Sequence, residues 1–179
     1  AGASRRFLKG KEKKKNRLGK LSLPLGSKPI LAHTLESFRN LPQIREIIVA
    51  LPRGAEKWVK SEVLNGEMGP RVRLVRGGRT RAESVRNALL RTSPKNDWVL
   101  VHDGARPFPP RKAVQELFRR ASQADGIILA RSVVPTLKRV FPKTGEIIET
   151  VDRSELYEAE TPQLVRRSVL LKAYQKNPQ

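Results

Sequence analysis

Hydrophobic positions along the chain recur with two spacings, and the spacings alternate. In KPILAHTLESFRNL (28–41), Ile30, Leu31, Leu35 and Phe38 fall on one helical face, and Pro29 suits the first turn. EIIVALP (46–52) is a continuous apolar run of strand length, and AEKWVKSEVL (55–64) returns to helical spacing through Trp58, Val59 and Val63. RVRLV (71–75) alternates with period two. The exchange continues with a helix over 81–91, a strand over 98–102, a helix over 111–121 and a strand over 126–130. Short apolar strands between ten-residue helices predict an α/β fold of βαβ units on a parallel sheet. Strands that are apolar throughout predict a sheet covered on both faces.

The pattern changes after Ala130. Extended stretches at 137–141 and 147–151, joined by PKTGE, read as a β-hairpin excursion. It has too few apolar residues to form a core of its own, so it is expected to pack on something else, such as a second subunit. A last helix is expected from near Val165, carrying Val169, Leu170 and Tyr174.

Composition narrows the function classes. The 179 residues, 38% hydrophobic, suit one domain over 1–179, and no run of 18 apolar residues predicts a membrane span. With no cysteine there is no disulfide and no thiolate-bound metal, and two histidines disfavour a His-rich zinc site. The net charge of +20 points to an anionic partner: nucleic acid, an anionic membrane or phosphorylated small molecules. KGKEKKKNR (9–17) is too polar to bury and reads as a loop or tail. Aromatic residues are only 5% and show no base-stacking pattern, so nucleic acid is disfavoured.

In parallel α/β sheets, ligands sit beyond the C-terminal strand ends, and that is where the unusual residues fall. GGRTR follows the strand at 71–75 and DGARP the strand at 98–102. Asp103 at a strand end can hold a divalent cation or a sugar hydroxyl, and Arg106 can face an anion; alternatively the two form a structural pair that pins the loop. The two glycines of GGRTRAES permit close approach of a ligand, with Ser84 one turn into the next helix; alternatively they are a simple connection. AGASRRF (1–7) lets backbone N–H groups and arginines meet a phosphate, or is a basic terminus. Lys20 clamps a phosphate or ends the basic run. Lys138, Arg139 and Arg153 suit a solvated face, Glu158 and Glu160 suit general acids or exposed charges, and His33 and His102 suit packing or the surface rather than a ligand role.

Taken together, AGASRRF, GKLSLPLGSKPILAHTLESF, GGRTRAESV, WVLVHDGARPF, TLKRV and TVDRSELYEAETPQ resemble the 2-C-methyl-D-erythritol 4-phosphate cytidylyltransferase family of the non-mevalonate isoprenoid pathway. The resemblance implies a Rossmann-like three-layer αβα fold with a mostly parallel central sheet. It also implies a protruding β-arm, about 132–160, through which a homodimer forms. It implies a cytoplasmic nucleotidyltransferase that joins CTP and methylerythritol phosphate, with Mg²⁺, and releases pyrophosphate. Catalytic roles fall to Arg6, Lys20 and Arg153. Nucleotide binding falls to Gly2, Ala3, Ser4, Gly78, Arg79, Ser84, Asp103 and Arg106. Methylerythritol phosphate falls to Asp103, Thr136, Arg153 and Thr161, with Thr136 and Arg153 reaching across from the partner's arm. Asp103 is the implied metal ligand.

The family pattern also sets a strand before Ala1 and further elements after Gln179, so 1–179 is expected to be a nucleotidyltransferase domain lacking both. The basic run lengthens the spacing from Arg6 to Lys20, Pro135 stands where an aspartate is common, and Arg79 stands where an acidic or small residue is common. The rival readings are a ribitol-5-phosphate cytidylyltransferase, a basic nucleic-acid-binding protein and a catalytically silent scaffold.

Overall fold

The computed structural model describes residues 18–64 and 71–176. A turn over Gly19–Ser22 leads into a tight antiparallel pair, β1 (Pro24–Leu25) and β2 (Lys28–Pro29). Gly26 makes that pair's turn at φ +63°, a left-handed conformation open to glycine. Helix α1 (Ile30–Arg39) follows at once, and Pro29, expected inside the first turn, instead caps it from an extended conformation. Then come β3 (Ile47–Leu51), α2 (Glu56–Val59, continued by a wider turn over Lys60–Leu64), β4 (Val72–Arg76) and α3 (Arg81–Leu89). Next are β5 (Trp98–Val101), α4 (Arg111–Arg119), β6 (Gly126–Ser132), β7 (Leu137–Val140) and β8 (Ile147–Val151), and last β9 (Tyr157–Arg166) and α5 (Arg167–Lys176).

The helix–strand alternation is as the spacing predicts, but the sheet differs in direction. β3 and β4 form a parallel ladder from Ile47↔Val72 to Leu51↔Arg76. β5 and β6, however, do not pair with each other; β9 lies between them and runs antiparallel to both. Among the described residues one ladder is parallel and the others are antiparallel, so the expectation of mostly parallel pairing is corrected here. The cause is β9, a strand where the sequence suggests the end of an arm and a helix start. Pro162 and Leu164 are buried while Thr161, Gln163 and Val165 are half-buried, the period of a strand. Pro162 hides the pattern, since proline cannot donate to a ladder. The structure accommodates it where the pairing breaks: the β6–β9 register shifts between Ile128 and Ala130, and neither neighbour pairs with Pro162. The last helix consequently starts at Arg167 rather than near Val165.

β7 and β8 form the expected hairpin, paired from Leu137↔Val151 to Val140↔Ile147. Residues 157–160, assigned to the arm by sequence, belong instead to β9, with Ala130↔Ala159 and Ser132↔Tyr157 in register.

Two buried clusters hold the fold. Leu31, Ala32 and Leu35 of α1 pack on Val49 and Leu51 of β3 and on Ala55, Val59 and Val63 around α2. Phe38 and Leu41 pack on Val114 of α4, flanked by Ile47 and Leu100, which joins the β3–β4 ladder to the β5–β9–β6 sheet. Each fully buried leucine here, such as Leu31, Leu51 or Leu164, contributes about 1.5–3 kcal/mol relative to exposure. Among the described residues no helix is long and apolar enough to cross a membrane.

Candidate active site

The ends of β4 and β5 build the site. After β4, the Gly77 N–H donates to Leu51 O at 2.8 Å, which carries the parallel ladder one residue further. The Gly78 N–H donates to Ser84 Oγ (3.0 Å), and the Ser84 hydroxyl donates to Thr80 O (2.9 Å). The Arg79 N–H donates to Glu83 Oε2 at 2.6 Å, and Thr80 Oγ1 caps α3 by accepting the Glu83 N–H at 3.0 Å. Three successive N–H groups therefore turn into the protein. A Cβ on Gly78 would lie 2.1 Å from Glu83 Cβ, so glycine alone fits there. Ser84 is 1% exposed, and its hydroxyl shapes this loop.

After β5, helix α1 anchors the next loop. The buried Thr34 hydroxyl lies 2.8 Å from Gly104 O, and the Ser37 hydroxyl donates to Pro107 O at 2.7 Å. His102 Nε2 lies 2.8 Å from Arg106 O; a carbonyl only accepts, so Nε2 carries the proton and Nδ1 is a bare lone pair. Among the described residues Nδ1 is buried without a partner, the ring meets Phe38 edge-on at 4.8 Å, and burial pushes the His102 pKa down. The sequence expectation of a packing histidine fits this environment.

Asp103 stands at the mouth. Arg81 Nε is 3.3 Å from its Oδ1 and Arg106 Nε 3.4 Å from its Oδ2, and all three side chains are about half exposed. The Asp103 N–H donates to Thr161 Oγ1 at 3.4 Å, which brings β9 to the same place. Gly104 sits against the first turn: a Cβ there would lie 3.1 Å from Leu21 Cδ2. Beside the loop, an open cleft of about 330 Å³ is lined by His102, Arg106, Phe108, Glu160 and Thr161 among others.

The structure thus gathers Gly78, Ser84, Asp103, Arg106 and Thr161 around two strand ends, and Lys20 lies on the turn whose Leu21 faces Gly104. Arg79 lies on the same loop with its side chain 91% exposed, 3.5 Å from Glu83 Oε1. Thr136 and Arg153 are exposed at the base of the β7–β8 hairpin, and no hydrogen bond or ion pair among the described residues joins them to Asp103. Gly2, Ala3, Ser4 and Arg6 lie outside the described residues. Asp103 and Arg106 form an ion pair within the loop, and both side chains are also about half exposed at the mouth. Three residues were missed: Thr80, Glu83 and Arg81. Thr80-x-x-Glu83 carries the capping-box signature. Arg81 is a cation in a helix's first turn, where acids are preferred, and that misplaced sign was the available signal.

No group of three histidine or acidic side chains lies close enough together to cage a metal among the described residues. Asp103 is a lone carboxylate, a donor set that suits an ion held mainly by substrate phosphates, as Mg²⁺ commonly is.

The profile of the 2-C-methyl-D-erythritol 4-phosphate cytidylyltransferase family matches residues 1–179. A protein of that description from Solibacter usitatus is 36% identical, over 98% of this chain and 73% of its own length. The crystal structure of 4-diphosphocytidyl-2C-methyl-D-erythritol synthase from Anaerococcus prevotii superposes with a TM-score of 0.79 at 25% identity, covering 90% of this chain and 70% of that one. The Francisella tularensis 2-C-methyl-D-erythritol 4-phosphate cytidylyltransferase superposes with a TM-score of 0.76 at 30% identity, covering 90% and 72%.

Proposed function

Since the chain belongs to the 2-C-methyl-D-erythritol 4-phosphate cytidylyltransferase family, we propose that it joins CTP to 2-C-methyl-D-erythritol 4-phosphate. The products are 4-diphosphocytidyl-2-C-methyl-D-erythritol and pyrophosphate. The observation that carries this reading is the cluster at the end of β5: Asp103 between Arg81 and Arg106, bordered by the Lys20 turn and by Thr161.

An oxygen of the sugar phosphate forms a bond to the α-phosphorus of CTP, and the bond to the bridging oxygen breaks with its electron pair leaving on pyrophosphate. The nucleophile is already an anion, so no proton has to be removed and no general base is required. That accords with a site whose one histidine is neutral and packed against Phe38. What the chemistry needs is alignment and positive charge. Lys20 and Arg6 neutralise the α-phosphate as it becomes five-coordinate. Arg106 meets the charge of the nucleotide, Thr161 holds the sugar phosphate, and Asp103 orients the hydroxyls at the mouth. Gly2, Ala3 and Ser4 wrap the triphosphate, while Gly78, Arg79 and Ser84 form the wall against the base. Mg²⁺, when bound with the nucleotide, supplies further charge neutralisation on the phosphates, with Asp103 as the protein ligand.

The chain adopts a Rossmann-like three-layer arrangement and works in the cytoplasm as a homodimer. The β7–β8 hairpin serves as the arm. Phe141, Ile147 and Ile148 on it are 54%, 64% and 46% exposed, an apolar surface that a second copy would cover. Thr136 and Arg153 at its base then complete the partner's sugar-phosphate site. A substrate panel tests the reading. Pyrophosphate release from CTP with methylerythritol phosphate is expected, and release with ribitol 5-phosphate alone would move the assignment to that polyol.

A further inference from the structure

Among the described residues Arg81 is a further cation at the mouth, and the reaction as proposed does not use it. It stands in the first turn of α3, where unpaired N–H groups disfavour a cation. Its Nε reaches Asp103 Oδ1, 22 positions away in sequence, while Arg106 Nε faces Oδ2. The two grips lie on opposite oxygens, so rotation of the carboxylate is resisted from both sides. Arg106 moves with Asp103, three residues away on one loop, so Arg81 is the grip that ties the carboxylate to another element. That element is itself fixed by the Thr80 cap and by the Gly78–Ser84 and Arg79–Glu83 bonds. An ion pair this exposed adds little to folding stability.

We propose that Arg81 is a positioning residue for the reaction. It fixes the Asp103 carboxylate in an orientation set by the nucleotide loop, and so couples the base side of the site to its sugar-phosphate side. This rests on the reading of the site given under Proposed function.

The test compares Arg81→Met and Arg81→Lys with the unchanged protein, and repeats Arg81→Met in an Asp103→Asn background. Arg81→Met is expected to lower kcat roughly 10–100-fold, the scale of a misplacement near 1 Å. The Kd for CTP, by calorimetry, should change less than about 3-fold, and the melting temperature less than about 4 °C. Arg81→Lys should restore little, because an ammonium cannot present a planar N–H at that place. In a crystal structure of Arg81→Met the Asp103 carboxylate should be rotated from its present orientation. In the Asp103→Asn background the change should cost less than about 2-fold more in single-turnover rate, since the two residues act as one unit. An unchanged kcat, full rescue by lysine, the full loss persisting without Asp103, or an unmoved carboxylate would each overturn the proposal. A CTP affinity that falls in step with kcat would overturn it too, by making Arg81 a direct nucleotide ligand. If the unchanged protein turns over no CTP with methylerythritol phosphate, it is the functional reading that fails, and the crystal structure still decides the question of Arg81.

Discussion

Gly104 and Leu21 touch across 83 positions of sequence: a Cβ at Gly104 would stand 3.1 Å from Leu21 Cδ2. This contact sets the Lys20 turn against the Asp103 loop, although the basic run lies just before it in the chain. Lys20→Ala is therefore expected to lower kcat about 10²–10³-fold, about 2.7–4 kcal/mol, with a smaller effect on CTP affinity. Changing Lys13, Lys14 and Lys15 together to alanine should cost little, because the family resemblance gives them no role in the reaction. Steady-state kinetics with CTP varied decides between them. Equal small effects would remove Lys20 from the site.

The loop after β4 depends on Gly78 and Ser84 in different ways. Gly78→Ala forces a Cβ into Glu83, so it should displace the loop and weaken CTP binding strongly. Ser84→Ala leaves the Gly78 N–H without its partner and should cost about 1–3 kcal/mol of stability. Melting curves and calorimetric CTP titrations of the two variants separate these outcomes. A Ser84→Ala protein with unchanged melting and a lost CTP signal would make that hydroxyl a direct ligand.

His102 gives the protein a stability that depends on pH. Its folded pKa lies below the ordinary 6.5 because burial disfavours the imidazolium. The unfolded chain therefore binds the proton first, so the neutral ring's contribution is intact above about pH 6.5 and is lost as pH falls toward the folded pKa. His102→Gln keeps a donor for Arg106 O but does not titrate. Urea unfolding at pH 7.5 and 5.5 should show a steeper loss for the unchanged protein than for this variant. Parallel losses would show that the ring is free to protonate in the fold.

The proposed trans-acting role of the β7–β8 hairpin is open to complementation. Lys20→Ala and Arg153→Ala subunits, each nearly inactive alone, should recover activity when unfolded and refolded together, because one site of a mixed dimer carries neither change. No recovery despite formation of mixed dimers would place Arg153 in its own subunit's site, or outside the site.

The sequence was most legible where one side chain pattern served one purpose. The apolar faces of α1 and α4 and the runs of β3 and β5 have a single burial duty, so their period reads directly as structure. Asp103 and Arg106 were legible because a charged pair on a Gly-Pro loop has no packing reason to follow an apolar strand. β9 was not, because Pro162 sits in a break in the pairing that only the tertiary structure reveals. Arg81 was not, because its partner lies 22 positions away, beyond any local pattern.

The most direct measurement is ³¹P NMR of CTP and methylerythritol phosphate incubated with Mg²⁺ and either the unchanged protein or Asp103→Asn. The account predicts a diphosphodiester signal growing in step with pyrophosphate for the unchanged protein, and a rate lower by at least about 10²-fold for the variant. Pyrophosphate without the diphosphodiester, or an equal rate from both proteins, would contradict it.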